Sequence, residues 1–441
     1  MRKAIAFGAV AALLGVFPAK AQFGGFGGPS ILSRGGGLPG RTAGRPIRLR
    51  PYAGVQGFYF SDLDEGRGQI VEKPLGALAS FGLQGSSIGK RDFGSISYAG
   101  NVVLAGESVF VSNNHNLTAD YGRQLSPRWT MFLGQAAMVT DQLLLGQQTR
   151  FSDNPAAQVL SPNAQLFDAR VYQLSSAGGF TYQKSARTSF SMSGGALTIQ
   201  QRERGLIGVN VFNARGTMMH RLTRRKGIGV TYSFTTFNHR REFGEGYINS
   251  SMVLYNHQIS PRWAISLAGG FYRVESERLT QVAVDPFIAA LTGQSTVIEA
   301  FHGINIGVAT DVAISGRYRR GSFSINYSRG VAPGNGVLLT SRQDAVSGQY
   351  SFLGLRNWSV AASASFVRFS AVAQNTTPFQ SYWAGVGASR RLTSYLHFNT
   401  NAGLMRTNLM GGLRTAGFRQ DRFMVLAGLV LAPGELPLSI F

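Results

Sequence analysis

The six residues Gln124-Leu125-Ser126-Pro127-Arg128-Trp129 return almost unchanged at Gln258-Ile259-Ser260-Pro261-Arg262-Trp263. In each copy an alternating run ends at Tyr121 or Tyr255, a Ser-Pro-Arg turn follows, and Trp opens a second alternating run. Proline presets φ at the second position of a tight turn, so each copy reads as a hairpin. Looser versions stand at Ser185-Ala186-Arg187, Arg224-Arg225-Lys226, Arg319-Arg320-Gly321, Leu355-Arg356-Asn357 and Leu392-Thr393-Ser394. A weaker one at Gly89-Lys90-Arg91 brings the total to eight turns. Neighbouring turns lie roughly 36–39 residues apart, except for two gaps of 59, from Ser126 to Ser185 and from Ser260 to Arg319. A period near 37 accommodates two strands of about 11 residues, a short turn and a longer loop, which is the rhythm of a transmembrane up-and-down barrel. The long gaps begin 134 residues apart (260 − 126), a spacing that suggests a larger internal duplication.

The start of the chain bears on the compartment. Arg2-Lys3, the apolar run Ala4 to Val16 and Ala19-Lys20-Ala21 have the order of a signal peptide over residues 1–21, with a mature start at Gln22. The chain holds no Cys, which excludes a lipoprotein anchor, disulfides and thiol chemistry. Residues 22–50 are rich in Gly, Pro and Arg and bury too little apolar surface to fold, so they read as a flexible periplasmic segment. Residues 51–441 show no linker and read as one unit.

Within that unit the strands alternate. In Ser322 to Ser328, Phe323, Ile325 and Tyr327 oppose Ser322, Ser324, Asn326 and Ser328; Val230 to Thr235 and Gly303 to Arg317 divide the same way. A half-buried soluble sheet alternates too. The exported leader, the short-turn and long-loop rhythm, and Trp129, Trp263, Trp358 and Tyr395 beside the turns favour a membrane barrel with an aromatic girdle. One strand near Tyr52 to Phe60, sixteen flanking the turns and one at Phe423 to Leu431 predict eighteen strands, or sixteen if a weak pair is dropped. The expected fold is all-β: a transmembrane antiparallel up-and-down barrel of 16–18 strands, with short periplasmic turns and longer extracellular loops. Its terminal stretch is interrupted by Pro433 and Pro437 before Phe441. Such a barrel belongs in the bacterial outer membrane, delivered by the barrel-assembly machinery.

The chain carries 43 Lys and Arg against 21 Asp and Glu, a formal +22, or +19 once Arg2, Lys3 and Lys20 leave with the leader. Nucleic acid is the usual partner of such a charge, but the leader and the strands exclude it here. Arg273, Arg368 and Arg406 each lie ten residues past a turn-flanking residue and share its outward parity. Ten residues climb roughly 25 Å at a barrel tilt, so these arginines reach the outer rim and face lipopolysaccharide phosphates, unless a bulge makes them ordinary loop charges. By parity Asp120, Asp311, Arg317 and Arg391 are candidates for the lumen. The two long loops, 141–168 and 275–299, each offer a helix start, at Asn154-Pro155 and Asp285-Pro286; one folding inward would narrow the pore, and the other reading extends both over the surface.

A catalytic constellation does not emerge. The six histidines are dispersed, Gly85-Ser86-Ser87-Ile88-Gly89 matches a serine-hydrolase elbow only in letters, and no helix follows it. Neither enzyme activity, a metal nor a cofactor is expected. The leader, alternation and terminal Phe resemble bacterial outer-membrane barrels generally. The Leu/Ile-Ser-Pro-Arg-Trp turns and the opening Arg48-Leu49-Arg50-Pro51-Tyr52-Ala53-Gly54-Val55, with Ser61-Asp62, are similar to β-barrel porins associated with exopolysaccharide export. The narrower resemblance implies a conduit for polysaccharide. The function expected is a porin-like channel for anionic or saccharide solutes; the alternative is a scaffold barrel, or a secretion conduit without open diffusion.

Overall fold

The computed structural model describes residues 48–62, 75–105, 108–141, 170–201, 208–240, 244–283, 287, 296–333, 340–352, 357–371, 378–409, 419–432 and 436–437. The strands of the first half are β1 (Arg48–Asp62), β2 (Leu75–Ile88), β3 (Asp92–Ala105), β4 (Ser108–Gln124), β5 (Trp129–Asp141), β6 (Arg170–Gln183), β7 (Thr188–Gln201), β8 (Gly208–Arg221) and β9 (Lys226–Arg240). Those of the second half are β10 (Glu245–Gln258), β11 (Trp263–Ala283), β12 (Thr296–Tyr318), β13 (Gly321–Pro333), β14 (Thr340–Phe352), β15 (Trp358–Ala371), β16 (Phe379–Arg391), β17 (Leu396–Leu409) and β18 (Arg419–Leu431). Each pairs antiparallel with its chain neighbours, and β18 returns to β1 from Ala53 opposite Leu431 to Asp62 opposite Arg422. Eighteen strands close with no free edge, so backbone N–H and C=O groups pair across the wall where lipid could not satisfy them.

Register gives each face one character. Ile325 stands opposite Ile314, which stands opposite Ile265, while Tyr327, Val312 and Leu267 form the next row. The opposite face of the same strands carries Ser324, Asn326 and Ser328. Val55, Phe271 and Ile306 are 64%, 67% and 69% exposed, as are many other large apolar residues of that parity. At roughly 25 cal/mol per Å² such a belt would be costly in water and is at home in lipid. Trp129 packs on Tyr182 at 4.7 Å, and Trp263 on Phe323 at 4.9 Å, both beside the short turns where the girdle was expected.

Several inward aromatics sit over a glycine directly opposite on the next strand. Tyr52 covers Gly82, Phe58 covers Gly76 and Phe93 covers Gly122; Phe132 covers Gly179, Phe237 covers Gly246 and Tyr272 covers Gly307. In each pair the ring occupies the place that a Cβ would take. The rings therefore lean along the wall instead of standing across the interior.

The turns share a hydroxyl more than a proline. Ser126 Oγ accepts from the N–H groups of Arg128 and Trp129 at 3.2 and 3.1 Å. Ser185, Thr223, Ser260 and Thr393 accept from the same two positions of their own turns. The carbonyls of Arg128, Arg187, Arg225 and Arg262 in turn accept from Gln183, Arg221, Gln258 and Arg317, lacing each hairpin to the next at 2.7–2.8 Å.

Two expectations are corrected. Residues 275–299 are not a loop: β11 and β12 stay paired up to Ala283 opposite Thr296. The alternating, β-branched Thr280, Val282, Thr296 and Ile298 sustain the pairing despite the charges that suggested a loop. The two gaps of 59 residues are thus built differently, with 13- and 14-residue strands around the first and 21- and 23-residue strands in the second. At the C-terminus β18 ends at Leu431, but pairing resumes in β19 (Leu436–Pro437), with Pro437 opposite Arg48, so the prolines interrupt the strand without ending it. The leader, most of segment 22–50 and Phe441 lie outside the described residues.

Candidate translocation pathway

Eighteen strands exceed the roughly eight whose side chains can fill a barrel, so the inward face decides what the protein can do. On β13 and β14 that face carries Ser322, Ser324, Asn326, Ser328, Ser341, Gln343, Ser347, Gln349 and Ser351. On β15, β16 and β17 it carries Ser359, Ser363, Ser365, Ser381, Ser389, Asn399 and Asn401. Among the described residues of these five strands the one inward charged group is Arg391, opposite His397 at the turn end.

The wall of β8 to β12 differs. Val209, Val211, Phe237, Ile248, Met252, Tyr272 and Val274 form one apolar cluster on its inward face. Arg215 on β8 and Asp311 on β12 share that face, and each lies within the other's electrostatic reach. Asp311 sits opposite Ala268 and Ser328, and Arg215 opposite Ser193 and Ser233.

The structure places all four lumen candidates on the inward face without bringing them together. Asp120 stands opposite Ser95 and Gly134 and accepts from Ser95 Oγ at 3.3 Å. Asp311 and Arg317 lie six residues apart (317 − 311) on β12, and Arg391 ends β16. Arg215 was missed, although Phe212, Ala214 and Met218 alternating with Val211, Asn213 and Arg215 carried the signal. Asn154, Pro155, Asp285 and Pro286 lie outside the described residues; the adjacent Phe287 has a helical backbone and is 74% exposed.

Most cations lie elsewhere. Lys90, Arg91, Arg128, Arg187, Arg224, Arg225, Arg262, Arg319 and Arg320 are exposed at the short turns. Arg273, Arg368 and Arg406 lie on the outward face; Arg273 Nη2 pairs with Glu275 Oε1 at 2.7 Å. The Gly85 to Gly89 stretch runs from β2 through a turn into β3, a strand where a hydrolase elbow requires a helix.

No protein-family model matches the chain, and no curated protein is similar in sequence. Among solved structures it is similar to a BenF-like porin from Pseudomonas fluorescens Pf-5, with TM-score 0.44 and 9% identity over 88% of this chain and 98% of that one. Pseudomonas aeruginosa OpdQ gives 0.41 and 10% over 88% and 98%, and the FrpB iron transporter from Neisseria meningitidis gives 0.41 and 10% over 85% and 66%. A closed eighteen-strand antiparallel barrel with an apolar outer belt, aromatic residues beside its short periplasmic turns and a polar interior is an integral outer-membrane protein of the porin-like kind.

Proposed function

We propose that the barrel is a passive channel for uncharged hydrophilic solutes, with saccharides the class its wall fits best. The observation that carries this reading is the inward face of β13 to β17, which is built of Ser, Asn and Gln with a single arginine at its end. Hydroxyls and amides both donate and accept, so they can exchange hydrogen bonds with sugar hydroxyls as water does. Selecting anions would call for fixed positive charge along the passage. Here Arg215 is offset by Asp311, and most remaining cations stand at the turns or on the outer wall.

Single-channel recording in a planar bilayer under a salt gradient tests the proposal. Stable open steps with weak ion selectivity are expected. Strong anion selectivity would replace the neutral solute by an anion. Silence would favour the scaffold, or a conduit opened only by a secretion partner.

A further inference from the structure

The register gathers arginines on the lipid-facing wall at the end of the barrel away from the short turns. Arg329 on β13 stands opposite Asp344 on β14, which stands opposite Arg368 on β15, which stands opposite Gln380 on β16. One row further from the turns is Arg342, and one row nearer is Arg406, level with Tyr382 and Phe366. Four arginines on β13, β14, β15 and β17 thus share one patch. Its acids are Asp344, which holds Arg329 Nε at 3.5 Å, and Asp421, opposite Arg406 in register. Counting both leaves 4 − 2 = +2, or 4 − 1 = +3 for the residues of β13 to β17 alone.

The depth is marked independently. Phe366 and Tyr382 pack at 4.9 Å on the outward face, and Tyr382 Oη donates to Gln380 Oε1 at 3.1 Å. Amphipathic rings of this kind mark the level of the headgroups. Arg368 and Arg406 are exposed there, and Arg342 Nε is buried with no hydrogen-bond partner among the described residues. Guanidinium groups in hydrocarbon would be costly, whereas at the interface they form paired hydrogen bonds with phosphate oxygens. Five adjacent strands span about 19 Å at the usual strand spacing, room for a disaccharide headgroup with a phosphate at each end.

We infer that this patch binds the phosphorylated headgroup of an outer-leaflet lipopolysaccharide. Arg368 and Arg406 grip the phosphates, Arg329 and Arg342 flank them, and Gln380 and Tyr382 offer hydrogen bonds to the sugar. Arg273 lies outside the patch, on β11, with its charge matched by Glu275. The inference is independent of what passes through the lumen.

Native mass spectrometry of the detergent-purified protein, titrated with diphosphoryl lipid A, with its monophosphoryl form and with phosphatidylglycerol, tests it. Wild type should bind the diphosphoryl form most tightly. R368Q/R406Q should weaken that binding by about tenfold or more, while R273Q leaves it unchanged. Heat-modifiable mobility on a gel verifies that each variant is folded. If R368Q/R406Q does not fold, R368K/R406K retains the charge but loses the paired geometry, and should bind measurably less than wild type. Wild-type affinity in either double variant, or equal affinity for phosphatidylglycerol, would overturn the assignment.

Discussion

Gly307→Ala is the substitution that most directly probes how the wall keeps its rings out of the interior. The added Cβ would fall where the Tyr272 hydroxyl and ring carbon Cζ now lie, and all three nearest atoms belong to that ring. The backbone is not the obstacle, so the ring has to leave its seat. Tyr272 is only 5% exposed in place. Releasing about half of a tyrosine's roughly 200 Å² at ~25 cal/mol per Å² costs about 2.5 kcal/mol, within the range of overpacked cores. Gly269→Ala is the control on the adjacent lipid-facing position, where nothing lies within 4 Å, and should change stability by less than about 0.5 kcal/mol. Urea unfolding in lipid vesicles, followed by tryptophan fluorescence, reads both. In a Tyr272→Ala background Gly307→Ala should cost almost nothing, giving a coupling near the full effect. Equal stability of Gly307→Ala and Gly269→Ala would refute the seating of the ring on its glycine. The displaced ring should also lower single-channel conductance, which Gly269→Ala should not.

Further outcomes follow from the same geometry. Gly270→Ala should be worse than Gly307→Ala, because its Cβ meets the Ser251 carbonyl and Met252 Cα, backbone atoms that cannot swing away; the same unfolding assay ranks the two. Ser126→Ala and Ser260→Ala each remove a hydroxyl that accepts two turn N–H groups, and should each lose about 1 kcal/mol, adding when combined because they lie on different hairpins. Ile325→Arg places a charge on the lipid face and should cost about 2 kcal/mol or more or block assembly, while Asn326→Arg on the inward face should fold; the yield of heat-modifiable protein separates them. Asp311→Asn leaves Arg215 without its balancing charge, so the reversal potential in a salt gradient should move toward anion selectivity, and Arg215→Ala should move it the other way.

Much of the architecture was legible because a barrel repeats locally. Each hairpin closes within a few residues, so the eight turns and two flanking strands could be counted from Ser-Pro-Arg-Trp and its looser forms. Parity placed Asp311 and Arg317 together on one face of β12, and no bulge reverses them. Features that depend on register between strands were hidden. Tyr272 meets Gly307 across a hairpin 35 residues long (307 − 272), and only the pairing shows that a ring and an absent Cβ share one space. Arg329, Arg342 and Arg368 meet for the same reason; Arg342, ten residues before Phe352, would have emerged had the count been run down the strands as well as up. The extension of β11 and β12 was hidden by Glu275, Glu277, Arg278 and Glu299, charges that mark a loop inside a membrane but are ordinary in a hairpin that projects beyond it. Net charge misled about the lumen, because a sum cannot show that its arginines stand mostly at turns and on the outer wall.

Swelling of proteoliposomes in isosmotic solutes puts the neutral, hydroxyl-lined passage to its most direct test. Vesicles carrying the protein should swell readily in uncharged mono- and disaccharides, and no faster in organic anions of similar size. Swelling confined to the anions, or none in any solute, would contradict a passage built for uncharged saccharides.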